Sequence, residues 1–448
     1  GMLSDISAQD FSLQADTLNE ARLPAQWDLQ SCIDYALEQN ITIRKNRVTA
    51  ESTQIDVKTA KAALFPSLSF STSQQVVNRP YQETSSRVSG SEIISSNSKT
   101  SYNGNYGLNA SWTIYNGSKR LKTLKQERLN NQVAELDVAT SENTIKESIA
   151  QIYIQILYAA ESVRVNENTL QVSIAQRDRG QELLNAGSIA KSDFAQLEAQ
   201  VSTDRYQLVT AQSTLQDYKL QLKQLLELDG ENEMNVYLPK LSDENVLAPL
   251  PAKKDVYVSA LAIRPEIEAS KLNVEASELG IDIAKSSYFP TISLSAGIGT
   301  NHTSGSDFTF GEQVKNGWNN SIGLSVSVPI FNNRQTKSAV QKAKLQRETD
   351  MLSLLDEQKA LYKTIESLWL DANSAQQRYA AANEKLRSTQ ISYDLISEQF
   401  NLGMKNTVEL LTEKNNLLQA QQEQLQAKYM AILNTQLLKF YQGDKLTL

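Results

Sequence analysis

Residues 118–179 and 334–402 contain neither glycine nor proline, and a chain carrying two such stretches has few ways to fold. As continuous helices they would reach about 93 and 104 Å at roughly 1.5 Å per residue, far beyond the helices of an ordinary domain. Helices of that length must pack side by side, as a coiled coil or a helical barrel. Residues 25–65, 188–229 and 404–442 also lack both breakers and read as further helices. In one of them Phe194, Leu197, Val201, Asp204, Leu208, Ala211, Leu215, Tyr218, Leu222 and Leu225 alternate steps of three and four, and Asp204 alone interrupts the apolar seam. The last helix is looser. Leu411, Leu418, Leu425 and Ile432 recur at seven, with Gln and Lys between them, as expected when one face meets water and another a neighbour.

The glycines gather instead in two windows, four in residues 90–117 and six in 297–323. Tyr102, Gly104, Tyr106, Leu108, Ala110, Trp112 and Ile114 alternate there with Asn103, Asn105, Gly107, Asn109, Ser111 and Thr113. Ile292, Leu294, Ala296 and Ile298 alternate with Ser293, Ser295, Gly297 and Gly299, and Ile322, Leu324, Val326, Val328 and Ile330 with Ser321, Gly323, Ser325, Ser327 and Pro329. A weaker version begins at Leu68 and Phe70. This is the period of a strand. All four segments are free of Asp, Glu, Lys and Arg for at least about ten residues, the length a strand needs to cross a bilayer. Charges return in the expected hairpin loops at Arg79, Glu83, Arg87 and Glu92, and at Asp307, Glu312 and Lys315. Two hairpins of a soluble sandwich remain an alternative, although soluble hairpins ordinarily carry charge on the wet face and here that face is Ser, Asn, Thr and Gly.

Composition removes several function classes. Lys and Arg total 44 against 51 Asp and Glu, a net charge of −7 with no basic block, which argues against nucleic acid. Cys32 is the one cysteine, which excludes an internal disulfide, and His302 the one histidine, which leaves no His/Cys cluster from which to build a zinc or haem site. His302 reads as a solvated residue of a hairpin loop, Cys32 as a small packed helix residue, and Trp112 and Trp318 as members of an aromatic girdle or of a core. No nucleophile–base constellation or phosphate loop is present, so an enzyme is disfavoured. No apolar run is long enough for a membrane helix, which leaves a β-barrel open. Gly1 before Met2 reads as a remnant on a processed chain.

Sliding the chain on itself by 224 residues pairs Ala36-Leu37 with Ala260-Leu261, Ala60-Lys61 with Ala284-Lys285, and Phe65-Pro66 with Phe289-Pro290. Beyond the first hairpin loop the offset becomes 216, pairing Gly107-Leu108 with Gly323-Leu324, Ile114-Tyr115-Asn116 with Ile330-Phe331-Asn332, and Gly187 with Gly403. The expected architecture is therefore an internally duplicated, mainly α chain with a β-barrel portion. It divides into an N-terminal extension (1–25), a helix (26–66), a membrane hairpin (67–116), a long helical hairpin (117–229), a proline-bearing linker (230–252), a second helix (253–289), a second membrane hairpin (290–332), a second helical hairpin (333–442) and a tail (443–448). Four strands cannot close a barrel, since about eight is the practical minimum, and an open edge in lipid leaves backbone groups unpaired. Strands entering a membrane would thus require several copies of the chain.

The order of these pieces resembles the TolC-like outer membrane efflux protein family. It runs from Trp27-Asp28-Leu29 and Ala36-Leu37-Glu38-Gln39-Asn40, through both Phe-Pro-Ser/Thr strand starts, to Val328-Pro329-Ile330-Phe331-Asn332 and the two Gly-centred tips. The resemblance implies a homotrimer in the outer membrane of a Gram-negative bacterium, with a twelve-stranded transmembrane β-barrel and a long α-helical barrel extending into the periplasm. It implies outer membrane lipid, a periplasmic adaptor protein and an inner-membrane transporter as partners, no cofactor and no metal. The function it implies is a passive conduit of a tripartite efflux or type I secretion system, gated at its helical tips. Carried over position by position, Ser192, Asp193, Phe400, Lys405, Glu409 and Thr412 fall at the gate, with Thr412 where a second aspartate is common, and Gly187, Ser188, Gly403 and Met404 fall where adaptor hairpins dock. A plainer reading stays open for the acidic pair, with Ser192 and Thr407 capping the following helices and Asp193 and Glu409 facing the positive ends of their dipoles. A periplasmic coiled-coil adaptor without a pore is the competing functional class.

Overall fold

The computed structural model describes residues 23–448 except 84, 90, 97, 230 and 232; the extension assigned to 1–25 lies outside the described residues as far as 22. In chain order the elements are α1 (Leu29–Gln39), α2 (Ile41–Ala62), β1 (Ser67–Asn78), β2 (Ser85–Ser89), β3 (Glu92–Ser96), β4 (Thr100–Tyr115), α3 (Lys119–Asn185), α4 (Lys191–Leu225), α5 (Lys253–Ile263), α6 (Pro265–Lys285), β5 (Thr291–Thr303), α7 (Phe310–Asn316), β6 (Asn319–Ser327), α8 (Gln335–Asn401) and α9 (Thr407–Gln442). The breaker-free stretches become α3 and α8, each of 67 residues.

The single helices expected over 26–66 and 253–289 are each broken in two. Asn40 turns extended at ψ 127°, and its Oδ1 accepts from the backbone N–H groups of Thr42 and Ile43 at 3.0 and 3.3 Å, so one side chain ends α1 and caps α2. Arg264 likewise turns extended, at ψ 124°, because the ring of Pro265 disfavours helical space there, but its side chain caps neither helix.

β1, β4, β5 and β6 form one antiparallel sheet in that order, leaving β1 and β6 as its edges. The connection between β1 and β4 holds a separate small hairpin of β2 and β3. The second hairpin loop holds α7, started by a capping box in which Thr309 Oγ1 accepts from the N–H of Glu312 and the Glu312 carboxylate accepts from that of Thr309. Both long helices are entered through two successive left-handed residues, Gly117 (φ +73°) and Ser118 (+63°) in the first half, Asn333 (+57°) and Arg334 (+67°) in the second.

Two compact units divide the chain. One takes the described part of Gly1–Arg47, with Asp137–Ile267 and Glu357–Leu448, and contains the apolar cores. Its largest core gathers Cys32, Ile149, Tyr153, Ile156, Leu157, Leu222 and Leu226, where burial pushes the Cys32 thiol up to about 12. A separate cluster of Leu197, Tyr393, Phe400, Leu410 and Leu417 joins the two helical hairpins near their turns. The other unit takes Val48–Leu136 and Glu268–Asp356, including the four-stranded sheet. Its buried side chains are mostly small, such as Ala50, Ala60, Ala134 and Ala276, while Val48, Ile55, Leu345 and Leu352 stay exposed.

Candidate functional site

The sheet is amphiphilic, and its strands keep register except for a shift in β4 between Thr113 and Tyr115. Leu68, Ala110, Ala296 and Ile322 lie in one cross-strand row, and Trp112, Leu294 and Leu324 in another. Rows on the opposite face run Ser69, Asn109, Gly297, Ser321 and Ser71, Gly107, Gly299, Asn319. Successive strand residues point to opposite faces, so the large apolar side chains of these rows stand on one side and small neutral polar groups on the other, with Val77 near the end of β1 an exception on the polar side. Phe70, Ile322 and Leu324 are 66, 78 and 64% exposed, more apolar surface than a water-facing sheet leaves uncovered.

Aromatic rings mark the ends of the strands. Trp112 Nε1 donates to Leu64 O at 2.9 Å and Trp318 Nε1 to Asn320 Oδ1 at 3.1 Å, with both rings substantially exposed. That arrangement suits an interfacial girdle. His302 is not a solvated loop residue: it lies within β5, stacked on Tyr106 at 5.7 Å and edge-on to Phe310 at 4.9 Å. The ring lies across from Gly104, where an added Cβ would fall 2.1 Å from His302 Cε1, so the glycine makes room for the imidazole.

The helical hairpins turn in the same way. Ser188 N–H reaches Leu183 O and Gly187 N–H reaches Leu184 O, and Met404 and Gly403 repeat the pair on Gln399 and Phe400. These are Schellman closures, with Gly187 and Gly403 left-handed at φ +73° and +76° and open space where a Cβ would stand.

The helix starts beyond these turns differ from expectation. α4 is preceded by Ala190 and α9 by Asn406, so neither Ser192 nor Thr407 is the cap; each helix begins at or before that residue, and Thr407 is buried. Asn406 Oδ1 accepts from Glu409 N–H at 2.8 Å and Glu409 Oε2 from Asn406 N–H at 3.1 Å, a complete capping box. Ala190 offers no side-chain acceptor, and only the returning bond to Asp193 Oδ2, at 3.4 Å, is present. Lys405 Nζ lies 3.6 Å from Glu409 Oε1 on an exposed face; such i,i+4 pairs contribute about 0.3–0.5 kcal/mol. Asp193 contacts its own turn and is not brought to Lys405 within one copy. Phe400 is packed in the core between the hairpins, and Thr412 Oγ1 donates back to Val408 O at 2.7 Å. Thus Lys405 and Glu409 come together, Ser188, Ser192 and Met404 lie exposed around them or on the other turn, and Phe400 stands apart.

A second charged pair lies inside the helix bundle. Lys414 Nζ donates to Asp204 Oδ2 and to Ser173 Oγ, and Ser173 donates to the same Asp204 oxygen. Burial pushes the Lys414 ammonium below its ordinary value, and Asp204 opposes that shift. The sequence carried half of the signal, Asp204 in the apolar seam. Lys414 was concealed among the polar residues of α9, although it lies one turn from both Leu410 and Leu417 on the buried face.

Among the described residues no group of three or more His, Cys, Asp or Glu side chains could hold a metal, and no helix is long and apolar enough to cross a membrane.

The chain matches the family described as Outer membrane efflux protein twice, over residues 32–227 and again over 256–443. It is 25% identical over 294 residues to the outer membrane efflux protein BepC of Brucella suis, covering 65% of this chain and 61% of BepC. It is 24% identical over 341 residues to the outer membrane protein TolC of Escherichia coli, covering 73% of this chain and 66% of TolC. The matches therefore span just under two thirds of these two relatives. The fold is similar to the crystal structure of CusC, with a TM-score of 0.79, 18% identity, and 93% and 92% of the two chains covered. By sequence match over most of its length, and by a fold shared with such channels, the chain belongs to the outer membrane efflux protein family.

Proposed function

We propose that this protein is a passive outer membrane channel of a tripartite efflux or secretion system in a Gram-negative bacterium, extending into the periplasm. The observation that carries the reading is the charge-free sheet with one apolar face, one small polar face and two open edges. In lipid both edges must pair, and pairing β6 of one copy with β1 of the next closes a ring only in an oligomer. Three copies give twelve strands, enough for a water-filled barrel. The exposed apolar residues Val48 and Ile55 on α2, and Leu345 and Leu352 on α8, each seven apart, would be covered by neighbouring copies in a helical barrel. The chain acts as a duplicated unit, supported by element bounds that recur at the two offsets and by a family match to each half.

In this reading the conduit has no catalytic residue and takes its energy from an inner-membrane transporter through a periplasmic adaptor that docks on Gly187, Ser188, Gly403 and Met404. Asp193, Lys405 and Glu409 face the threefold axis at the periplasmic end, with Ser192 and Thr412 beside them, and outer membrane lipid surrounds the apolar strand face. An adaptor without a pore would have no use for that face. Native mass measurement in detergent and single-channel recording in a planar bilayer test the proposal together: a trimer with stable conductance is expected, and a detergent-free monomer without conductance overturns it.

A further inference from the structure

Ser173, Asp204 and Lys414 are 2, 2 and 4% exposed and belong to three helices, α3 and α4 of the first hairpin and α9 of the second. Every oxygen of the Asp204 carboxylate is engaged, Oδ2 by Lys414 and Ser173 and Oδ1 by Gln200 Nε2 at 2.9 Å. The group sits in an otherwise apolar seam, with Leu197 and Val201 on one side and Leu410 and Leu417 on another. Other ties between the hairpins are neutral or reach the surface: Gln176 Nε2 to Tyr393 Oη at 2.7 Å, Gln200 Nε2 to Asn415 Oδ1 at 3.4 Å, and Arg179 Nη2 to Asn401 O at 3.4 Å.

An apolar seam by itself tolerates sliding, because one leucine packs much as another does. A paired charge within it does not: displacing α9 along α4 by one turn, about 5.4 Å, would set the ammonium against leucine and leave the carboxylate dry and unpaired. Fixing register is the best-attested use of such buried polar groups. The contact thus has two states, closed and dry, or parted with both charges wetted, and little between them. It lies about two turns into α9, close to the turns that the preceding reading places at the constriction.

We propose that Lys414, held by Asp204 and Ser173, is an internal latch that fixes the second helical hairpin on the first, so that the tips part only when this buried contact breaks. The inference deepens the channel reading and assigns the hold on the tips to Lys414 more than to the exposed Lys405–Glu409 pair.

Spin labels at Ser188→Cys and Met404→Cys read the separation of the two tips directly, and the buried Cys32 thiol, pushed up to about 12, does not compete for the label. Pulsed electron resonance on the detergent-solubilised protein is combined with planar-bilayer conductance. Lys414→Met is expected to broaden the tip distance toward longer values and to raise resting conductance several-fold, while the charge-exchanged Asp204→Lys/Lys414→Asp protein returns both toward wild type. If Lys414→Met does not assemble, Asp204→Leu/Lys414→Leu, which leaves no buried charge, carries the test: a latch predicts loosened tips, whereas packing alone predicts the wild-type distance. A wild-type distance and conductance in an assembled Lys414→Met or double-Leu protein overturns the proposal. Should the wild-type protein conduct nothing, the channel reading fails by itself, and the label distances still decide whether the hairpins are latched.

Discussion

Leu324 stands directly across from Leu294 in the β5–β6 ladder, and the pair occupies the apolar face of the sheet. Placing Lys at either position should cost about 2–4 kcal/mol if that face meets the hydrocarbon midplane. Lys at Ser325, one residue along and on the opposite face, should leave assembly intact and change ion selectivity instead. Yield of the assembled protein in detergent and reversal potential separate the two, and equal tolerance at both positions would sink the assigned orientation.

The turns of the helical hairpins allow a clean measure of backbone strain. Nothing lies within 4 Å of a Cβ at Gly187 or Gly403, so Gly→Ala there carries only the left-handed penalty of about 1–2 kcal/mol. Thermal unfolding of Gly403→Ala should show that loss without a packing defect. A larger loss would mean that the tip is covered by something in the assembled protein.

Helix starts offer both directions of change. Asn406→Ala removes the side-chain acceptor of the capping box, leaving only the returning bond to Glu409, and should destabilise α9 by about 1 kcal/mol. Ala190→Ser supplies the acceptor that the first tip lacks and should stabilise α4 by a similar amount. Hydrogen exchange of the first turn of each helix reports the two effects locally, and no protection gained in Ala190→Ser would refute the second.

A half-buried carboxyl, Glu147, and an exposed one, Asp243, oppose one another in their pH dependence. Burial pushes the Glu147 carboxyl up, although Arg264 opposes the shift. Its contribution to stability is therefore present below the unfolded value near 4.5 and is lost as pH rises through the folded value. The hydrogen bond from Lys428 holds the Asp243 carboxyl below its ordinary value, so that contribution is present above the unfolded value near 3.8 and is lost as pH falls through the folded one. Relative to wild type, Glu147→Gln should gain melting temperature as pH is raised from about 4.5 to 7.5. A constant difference over that window would refute the assignment.

Exposed charge at the second tip should matter less than its position suggests. The Lys405–Glu409 pair spans 3.6 Å in the open, and Lys405→Ala/Glu409→Ala should raise resting conductance modestly, by less than Lys414→Met. Conductance equal to wild type in an intact assembly would make these two residues part of the helix start only.

The strands were legible in the sequence because their signal is local: period two and the absence of charge are visible within ten residues, whereas the ladder from Leu68 to Ile322 joins strands remote in the chain and was not. The long helices were legible for the same reason. What escaped depends on partners remote in the chain or on chain geometry. Lys414 reads as a solvent residue until Asp204, 210 residues earlier, is placed against it. His302 reads as a loop residue because nothing local says that Gly104 leaves a space opposite it. Ser192 and Thr407 looked like caps, but the chain becomes helical at or before each of them, which leaves Ala190 and Asn406 at the boundary.

The two hairpin loops are built from different material, a small β2–β3 hairpin in one and the helix α7 in the other. A cyclic assembly of this chain would display them alternately around the mouth of the barrel. An antibody or phage fibre approaching from outside would then meet a pattern that repeats every second loop, so a recognition module matched to one kind of loop finds one foothold per copy of the chain and passes over the loops between them.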